Sequence, residues 1–186
     1  MRSVFFALVL LTKLGFSEHT ALIMETTEGE MELLLFPDVA PQACDNFLRL
    51  VDKGFYNGLL FHRIIKGYMI QSGDPTGTGR ESISTTCKPI PDEISTIYEY
   101  DMPGRVGLVS FGPDRNGSQF FITFTATPWL TGKHTLFGQV IRGFKTLQAL
   151  ENSSEIPKIT RIRRKYETLA SDTDTGCSDT PSTGAQ

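Results

Sequence analysis

The 186-residue chain is 39% hydrophobic and 21% charged, which fits one ordinary globular domain and excludes collagen-like, low-complexity and coiled-coil proteins. Its 18 basic and 21 acidic side chains give a formal net charge of −3 without any block of like charge, so a nucleic-acid partner is not expected. The 13 Phe, 17 Gly and 10 Pro favour a β-rich fold with many turns.

The N-terminus has the pattern of a removable leader. After one early basic residue comes an apolar run, Val4–Leu11, which is far shorter than the roughly 20 apolar residues that a membrane-spanning helix needs. Gly15 and Ser17 place small residues at the −3 and −1 positions of a cleavage site before Glu18. We therefore predict a signal peptide at residues 1–17, entry into the secretory pathway (ER lumen or secretion), and no membrane contact after cleavage. The alternative is an apolar segment packed on a cytoplasmic or nuclear protein.

Two strands and a helix are predicted next. Thr20–Phe36 forms two strands around a turn at residues 27–29, because apolar and polar residues alternate in its second half. Pro41 suits a first helical turn and Gly54 suits a helix end. The apolar face of this helix includes Cys44, which is expected to be a buried small hydrophobe rather than a nucleophile.

The rest of the chain reads mainly as strands separated by turns. Residues 73–104 form a long irregular segment that is rich in Gly and Pro at its start, and Phe144–Leu150 forms a short second helix. The predicted strands are Leu59–Ile65, Tyr68–Gln71, Val106–Phe111, Gln119–Thr125, Thr135–Ile141 and Ile156–Lys165. Residues 167–186 are predicted to be a disordered Ser/Thr/Asp-rich tail. The pattern favours a closed or nearly closed barrel with helices over its openings.

Most common catalytic and metal-binding patterns are absent from the sequence. The three cysteines (44, 87 and 177) are not expected to form a disulfide framework, and their spacing does not suggest zinc. The three histidines are scattered, so no metal site is expected. Asn116 and Asn152 begin glycosylation sequons, of which Asn152 is the better candidate, provided that the chain is secreted.

Three segments of the chain form a specific set of motifs. They are Phe61-His-Arg-Ile-Ile65 with Tyr68-Met-Ile-Gln-Ser-Gly-Asp-Pro75, then Asn116-Gly-Ser-Gln-Phe-Phe-Ile122, then Trp129-Leu-Thr-Gly-Lys-His-Thr-Leu-Phe-Gly138. Together they resemble the cyclophilins, the peptidyl-prolyl isomerases that cyclosporin inhibits. The segments occur in the family's order and spacing, over about residues 19–166. The resemblance implies a mostly β fold, a closed eight-stranded antiparallel barrel capped by two α-helices, in an isomerase domain of residues 18–166. The short loop at residues 73–79 looks like that of the small cyclophilin-like subgroup, some of whose members sit in spliceosomes.

The residues in these segments suit proline isomerisation. Rotation about an X–Pro bond has a barrier of about 18–20 kcal/mol and breaks no covalent bond, so no nucleophile, metal or cofactor is expected. An apolar slot for the proline ring and a cation near the prolyl nitrogen would favour the twisted state over the planar one. Arginine suits this role because it stays charged in a partly apolar site and offers several donors.

The resemblance implies a role for each site residue. Arg63 would be the electrophile, oriented by Gln71, with Phe121 and His134 completing the catalytic set. Substrate-binding residues would be Tyr68, Met69, Val109, Ser110, Gln119, Trp129 and Leu130. Without the motifs, Arg63 would equally fit a surface ion pair, and Phe121, Met69 and Leu130 would fit plain core. His134 could also be a structural hydrogen-bonding residue.

One segment departs from the family pattern. Leu108-Val-Ser-Phe111 stands where the family typically has Met-Ala-Asn-Ala, and Arg115 replaces a small polar residue. Phe111 and Arg115 are therefore expected to alter a second pocket that receives side chains upstream of proline. We expect a monomeric isomerase (rotamase) that assists protein folding, acts on proline-containing polypeptides and binds cyclosporin. The alternative is a proline-peptide-binding scaffold subunit of a larger complex such as a spliceosome.

Overall fold

The computed structural model describes residues 20–165, which form a curled antiparallel sheet with two α-helices. The elements are β1 (Ala21–Thr26), β2 (Gly29–Leu35), α1 (Pro41–Asp52), β3 (Arg63–Ile65), β4 (Met69–Ser72), β5 (Arg105–Leu108), β6 (Phe120–Thr123), η1 (Pro128–Leu130, a 3₁₀ turn), β7 (Leu136–Arg142), α2 (Phe144–Asn152) and β8 (Ile159–Arg164). The predicted leader at residues 1–17 and the predicted tail at residues 167–186 lie outside the described part, and both stay predictions.

The eight strands form one sheet in the order β3-β4-β6-β5-β7-β2-β1-β8. The neighbouring strands are antiparallel, as the mostly β prediction required. In β2 the buried Met31, Leu33 and Leu35 line the core, which confirms the alternation read from the sequence. Glu32, between them, is also buried, and its carboxylate lies 2.6 Å from the Lys165 Nζ.

Full closure of the barrel, which the sequence predicted, is not confirmed. β3 and β8 stand at the two ends of the sheet, and they are joined through the segment before β3 rather than strand to strand. Leu60 forms an isolated bridge with Lys158, and the Phe61 amide donates to the Pro157 carbonyl at 2.9 Å. Proline has no amide hydrogen to donate to a continuous ladder. The sheet is therefore curled, and this short seam brings its ends together.

Several predicted strands are longer than the observed ones. The predicted strand at residues 59–65 begins only at Arg63, because the residues before it turn and make the seam. The strand predicted at residues 106–111 ends at Leu108, because the chain turns at Gly112, where φ is +133°. The irregular segment at residues 73–104 is confirmed, since no regular strand or helix occurs there.

Helix α1 begins at Pro41, as predicted, but a distant residue caps it. The Glu93 carboxylate accepts hydrogen bonds from the backbone amides of Gln42 (3.0 Å) and Ala43 (2.9 Å). A carboxylate at this end also complements the positive end of the helix dipole. The cap fixes the irregular segment that contains Glu93 against the start of α1.

The main core combines buried residues of α1 and α2 with one face of the sheet. Phe47 on α1 contacts Phe120 edge-on, with ring centroids 5.4 Å apart, and Tyr56 at 4.7 Å. The Tyr56 hydroxyl donates to the Ser118 carbonyl at 3.1 Å, and burial raises the pKa of Tyr56 well above its ordinary value. A smaller cluster around Phe121 packs on the other side of the sheet, where the candidate site lies.

The two cysteines of the described segment differ in state. Cys44 is free and 1% exposed, and burial raises the pKa of its thiol to about 12, which confirms the prediction of a buried, unreactive side chain. Cys87 is exposed and disulfide-bonded. One disulfide is not a framework, so the expectation that the three cysteines form no disulfide framework stays a prediction. An odd number of cysteines still allows one pair.

Candidate functional site

Three predicted site residues lie in one row across the sheet. Arg63 on β3 pairs with Gln71 on β4, Gln71 pairs with Phe121 on β6, and Phe121 pairs with Gly107 on β5. Directly paired residues of adjacent strands place their side chains on the same face. The register therefore brings together a guanidinium, an amide and an aromatic ring that are up to 58 positions apart in the chain (Arg63 to Phe121).

This face of the sheet forms the wall of a cavity of about 170 Å³. Its buried floor consists of Met69, Phe121 and Leu130, which are 5%, 5% and 7% exposed. The complete lining comprises Arg63, Tyr68, Met69, Gln71, Val109, Phe121, Leu130 and His134, all predicted from the sequence. The cavity thus has an apolar floor and a polar rim.

The polar rim is a chain of hydrogen bonds that runs from a guanidinium through two side-chain amides to a backbone carbonyl. The Arg63 Nη1 donates to the Gln71 Oε1 at 3.5 Å, and the Gln71 Nε2 donates to the Gln119 Oε1 at 2.7 Å. The Gln119 Nε2 in turn donates to the backbone carbonyl of Glu81 at 2.9 Å. Gln71 is buried, whereas Arg63 is exposed. This hydrogen-bond chain orients the guanidinium, and no carboxylate of residues 20–165 forms an ion pair with it, so within that part of the protein its positive charge faces a ligand.

A tyrosine and a glycine hold Phe121 from behind. The Tyr100 ring stacks on Phe121 with centroids 5.7 Å apart, and its hydroxyl donates to the Thr135 carbonyl at 3.3 Å. Burial raises the pKa of Tyr100 well above its ordinary value. A Cβ added at Gly107 would lie 2.6 Å from the Phe121 Cζ, so only glycine leaves room for the ring.

Sequence reasoning missed both of these supporting residues. Tyr100 belongs to a segment that reads as an irregular loop, and no local pattern connects it to β6. A glycine inside the apolar strand β5 is a signal for close approach by another group, and it could have pointed to Gly107.

His134 and Trp129 occupy the rim in different ways. His134 contacts the edge of Phe121, with centroids 5.7 Å apart, and its buried Nδ1 has no hydrogen-bond partner within residues 20–165. Trp129 is 56% exposed, and its ring lies 6.0 Å from that of Tyr68 rather than in the lining itself. His134 is therefore part of the cavity lining, and Trp129 lies beside that lining, against Tyr68.

Most of the segment that differs from the family pattern lies outside the cavity lining. Val109 lines it, but Ser110, Phe111 and Arg115 lie on the turn that follows β5. The Ser110 Oγ donates to the Gly112 carbonyl at 2.5 Å, and the Phe111 amide donates to the Arg115 carbonyl at 3.2 Å. Phe111 is 39% exposed. The substrate-binding role of Ser110 and the role of Phe111 and Arg115 in a second pocket stay predictions.

Within residues 20–165, no group of three or more His, Cys, Asp or Glu side chains is arranged to hold a metal ion. None of the helices in that same range is long and apolar enough to cross a membrane. The chemistry open to the cavity is that of a fixed cation beside an apolar slot.

Comparison with known proteins gives a consistent match. The family described as "Cyclophilin type peptidyl-prolyl cis-trans isomerase/CLD" matches residues 21–166. A peptidyl-prolyl cis-trans isomerase-like 1 of Rhizopus delemar is 44% identical over 134 residues, which cover 72% of this chain and 81% of that protein. Its namesake in Neurospora crassa is 46% identical over 131 residues, covering 70% of this chain and 80% of that protein.

A solved structure agrees with the fold. The crystal structure of a cyclophilin type peptidyl-prolyl cis-trans isomerase of Cryptosporidium parvum superposes with a TM-score of 0.77 at 37% identity, covering 81% of this chain and 99% of that one. A second crystal structure of that isomerase, in the presence of the dipeptide Ala-Pro, has a TM-score of 0.76 at 38% identity, and covers 79% of this chain and 99% of that one.

Proposed function

Because this chain belongs to the cyclophilin-type peptidyl-prolyl cis-trans isomerases, we propose that its cavity holds the substrate proline ring while Arg63 donates a hydrogen bond to the prolyl nitrogen. The observation on which the proposal rests is the row of Arg63, Gln71 and Phe121. It sets an oriented guanidinium at the rim of a buried apolar cavity.

The apolar floor fixes one side of the rotating bond. Met69, Phe121 and Leu130 offer the proline ring only apolar surface, so binding it there removes apolar area from water. With the ring held, the acyl group on the other side of the C–N bond turns. The slot thereby contributes orientation, which is a large part of the advantage of a bound over a free reactant.

The guanidinium stabilises the twisted state. In the planar amide the nitrogen lone pair is delocalised into the carbonyl, and at 90° of twist it is localised on nitrogen and can accept a hydrogen bond. A donor at that position binds the transition state more tightly than either ground state, which is the condition for catalysis. No bond forms or breaks, so these residues suffice for the reaction.

The proposal also covers the cellular location of the protein, its oligomeric state and its binding of cyclosporin. We propose that the chain acts in protein folding in the secretory pathway, as a monomer, on proline-containing polypeptides. The apolar run at residues 4–11 and the disulfide-bonded Cys87 support this location, since disulfides persist mainly in oxidising compartments. Cyclosporin binding is proposed from the family membership and from the exposed Trp129 beside Tyr68.

The test is the rate of X–Pro isomerisation in a short peptide with an Ala-Pro bond, measured by exchange NMR. Arg63→Ala is expected to lower kcat/KM by about 10²–10³-fold, the usual cost of losing one preorganised donor to the transition state. Its Tm should stay unchanged, because Arg63 is exposed. Arg161→Ala, at another exposed arginine on β8, is the matched control and should keep full activity.

Two results would contradict the proposal. Equal rates for the wild type and Arg63→Ala would show that the cation does not act on the prolyl nitrogen. Peptide binding without rate enhancement by the wild type would favour the scaffold alternative, for which a cation at the rim is not needed.

A further inference from the structure

Asp74 lies just beyond the end of strand β4, outside the proline cavity, and it is almost completely buried. The residue is 1% exposed, although most of the loop that follows it, residues 75–81, is exposed. None of residues 74–81 lines the cavity. Because a charged group is costly to bury without partners, the partners of Asp74 show what its side chain does.

The hydrogen-bond donors to Asp74 come from the loop itself. The Asp74 Oδ1 accepts hydrogen bonds from the Thr76 amide (2.7 Å) and the Thr76 hydroxyl (2.8 Å). The Oδ2 accepts hydrogen bonds from the amides of Arg80 (2.8 Å) and Glu81 (3.3 Å) and from the Thr78 hydroxyl (3.4 Å). Burial tends to raise the pKa of Asp74, but these hydrogen bonds lower it to about 2, so the carboxylate is ionised at neutral pH. The loop is therefore folded around one negative charge.

Glu81 connects this loop to the polar rim of the cavity. Its amide donates to the Asp74 carboxylate, and its carbonyl accepts the hydrogen bond from the Gln119 Nε2 at 2.9 Å. Gln119 in turn accepts a hydrogen bond from Gln71, and Gln71 accepts one from Arg63. One continuous path of hydrogen bonds therefore runs from the Asp74 carboxylate to the guanidinium.

The Glu81 carbonyl sets the direction of both side-chain amides in this path. An amide side chain has a donating NH₂ group and an accepting oxygen, and it can present them either way round. Because the Gln119 Nε2 donates to a carbonyl, its Oε1 faces the Gln71 Nε2, and the Gln71 Oε1 faces Arg63. The reversed arrangement would place the Gln71 NH₂ group against the guanidinium, donor against donor. The orientation of the rim therefore depends on an acceptor that stays in place at Glu81.

The two ends of the loop are fixed without the Asp74 side chain. The Ser118 Oγ donates to the Gly73 carbonyl at 2.6 Å and accepts a hydrogen bond from the Ile83 amide at 2.9 Å. Between these two points, the Asp74 carboxylate holds the backbone at Glu81. Removal of that carboxylate should therefore change the orientation of Glu81 while the ends of the loop stay attached.

We infer that Asp74 is a positioning residue of the isomerase: it fixes the polar rim through Glu81 and thereby orients Arg63. The inference rests on the proposed role of Arg63 at the prolyl nitrogen, and it extends that role to a residue outside the cavity lining. A donor that acts in the twisted state contributes to kcat rather than to substrate binding. Loss of its orientation should therefore lower kcat and leave KM unchanged.

Asp74→Ala removes both acceptor oxygens and tests the inference in the full chain. On the Ala-Pro peptide, kcat is expected to fall about tenfold, which is less than the loss of about 10²-fold that a misplacement of about 1 Å can cause. KM should stay unchanged, because the variant keeps the apolar floor of Met69, Phe121 and Leu130. A wild-type kcat in the folded variant would overturn the inference.

Asn46→Ala is the matched control. Asn46 is buried and also holds a loop by accepting hydrogen bonds, from the Thr85 amide (2.8 Å) and the Thr85 hydroxyl (3.1 Å). It belongs neither to the cavity lining nor to the path that ends at Arg63. The control should lose stability and keep the wild-type kcat. If its kcat falls as far as that of Asp74→Ala, any loosened loop slows the enzyme, and the inference is wrong.

A double-mutant cycle shows whether Asp74 acts through Arg63. Residues that belong to one hydrogen-bond network have non-additive effects. Asp74→Ala should therefore cause no further loss of kcat in the Arg63→Ala background, and an equal loss in both backgrounds would overturn the inference. A slow Arg63→Ala with a fast Asp74→Ala rejects this inference alone. A wild-type rate in Arg63→Ala rejects the proposed function, and this inference with it.

Amide NMR of the wild type is a second measurement, which decides the question if Asp74→Ala fails to fold. The Ala-Pro peptide engages the guanidinium, so its titration should shift the amide resonances of Arg80 and Glu81, neither of which lines the cavity. The Thr85 amide, which Asn46 holds, should not shift. Unchanged resonances of Arg80 and Glu81 at saturating peptide would overturn the inference.

Discussion

Gly107 offers the sharpest test of how the cavity is built. It lies on β5 directly opposite Phe121, and an added Cβ would lie 2.6 Å from the Phe121 Cζ and 2.9 Å from its Cε1. The same methyl group would also overlap the Tyr100 hydroxyl. Gly107→Ala therefore changes the floor of the cavity without replacing any residue in its lining.

The size of the effect follows from these distances. Carbon atoms pack best at about 3.5–4.0 Å, so the Phe121 ring has to move by roughly 1 Å. A displacement of that size at a reacting site costs about 10²-fold in rate. Overpacking of this kind typically destabilises a core by about 1–3 kcal/mol, which for a chain of this length lowers the Tm by about 2–4 °C per kcal/mol.

The assay is kcat/KM for the Ala-Pro peptide at a temperature well below the Tm of the variant. Gly138→Ala is the matched control, because its Cβ would lie 2.9 Å from the Leu34 carbonyl oxygen and 3.2 Å from the Leu35 Cδ2, outside the cavity lining. The control should lose stability and keep its activity. If Gly107→Ala is folded and as active as the wild type, the placement of Phe121 does not control the rate, and the argument fails.

Three further predictions concern other parts of the chain. Burial tends to raise the pKa of Asp74, but hydrogen bonds from Thr76 and nearby amides outweigh burial and lower this pKa to about 2. The ionised Asp74 therefore stabilises the fold above about pH 4, and this stabilisation should be lost between about pH 4 and pH 2. The free energy of unfolding, measured as a function of pH, should show that loss in the wild type but not in Asp74→Asn. In a eukaryotic secretory host, Asn152→Gln should remove an N-glycan detected by glycosidase digestion and mass spectrometry, because Asn152 is exposed. Asn116→Gln should leave the glycan pattern unchanged, because the Asn116 side chain is buried and hydrogen-bonded. A glycan at Asn116 would contradict this prediction. Phe111→Ala should accept large aromatic residues two or three positions before proline better than the wild type in a peptide series, by up to about 1–3 kcal/mol; equal acceptance would show that Phe111 gates no pocket.

The sequence was most informative where the chemistry is local. Pro41 and Gly54 marked the ends of helix α1, and the alternation of Met31, Leu33 and Leu35 marked the buried face of β2. All residues of the cavity lining except Val109 belong to the three motifs, whose strands and turns face the cavity. Local patterns and the family resemblance together were sufficient to predict the fold class and the cavity lining.

Features that depend on distant contacts could not be read from the sequence. Glu93 caps α1 from about 50 positions away, and Tyr100 supports Phe121 from within an irregular segment. The open seam of the sheet depends on where Leu60 meets Lys158. Since each of these contacts joins segments that look unrelated in sequence, only the folded chain reveals them.

The seam also determines how much of the chain has to be synthesised before Arg63 is held in place. Arg63 lies on β3, a three-residue edge strand whose only strand partner among the described residues is β4, and the segment before it is held by residues 157–159. Strand β8 begins at residue 159 and is held in the sheet by its pairing with β1, near the start of the described residues. The ribosome must therefore release almost the whole domain before the guanidinium is in place. A chain that still lacks its last strand would therefore lack a placed guanidinium, whichever of its other strands had already paired.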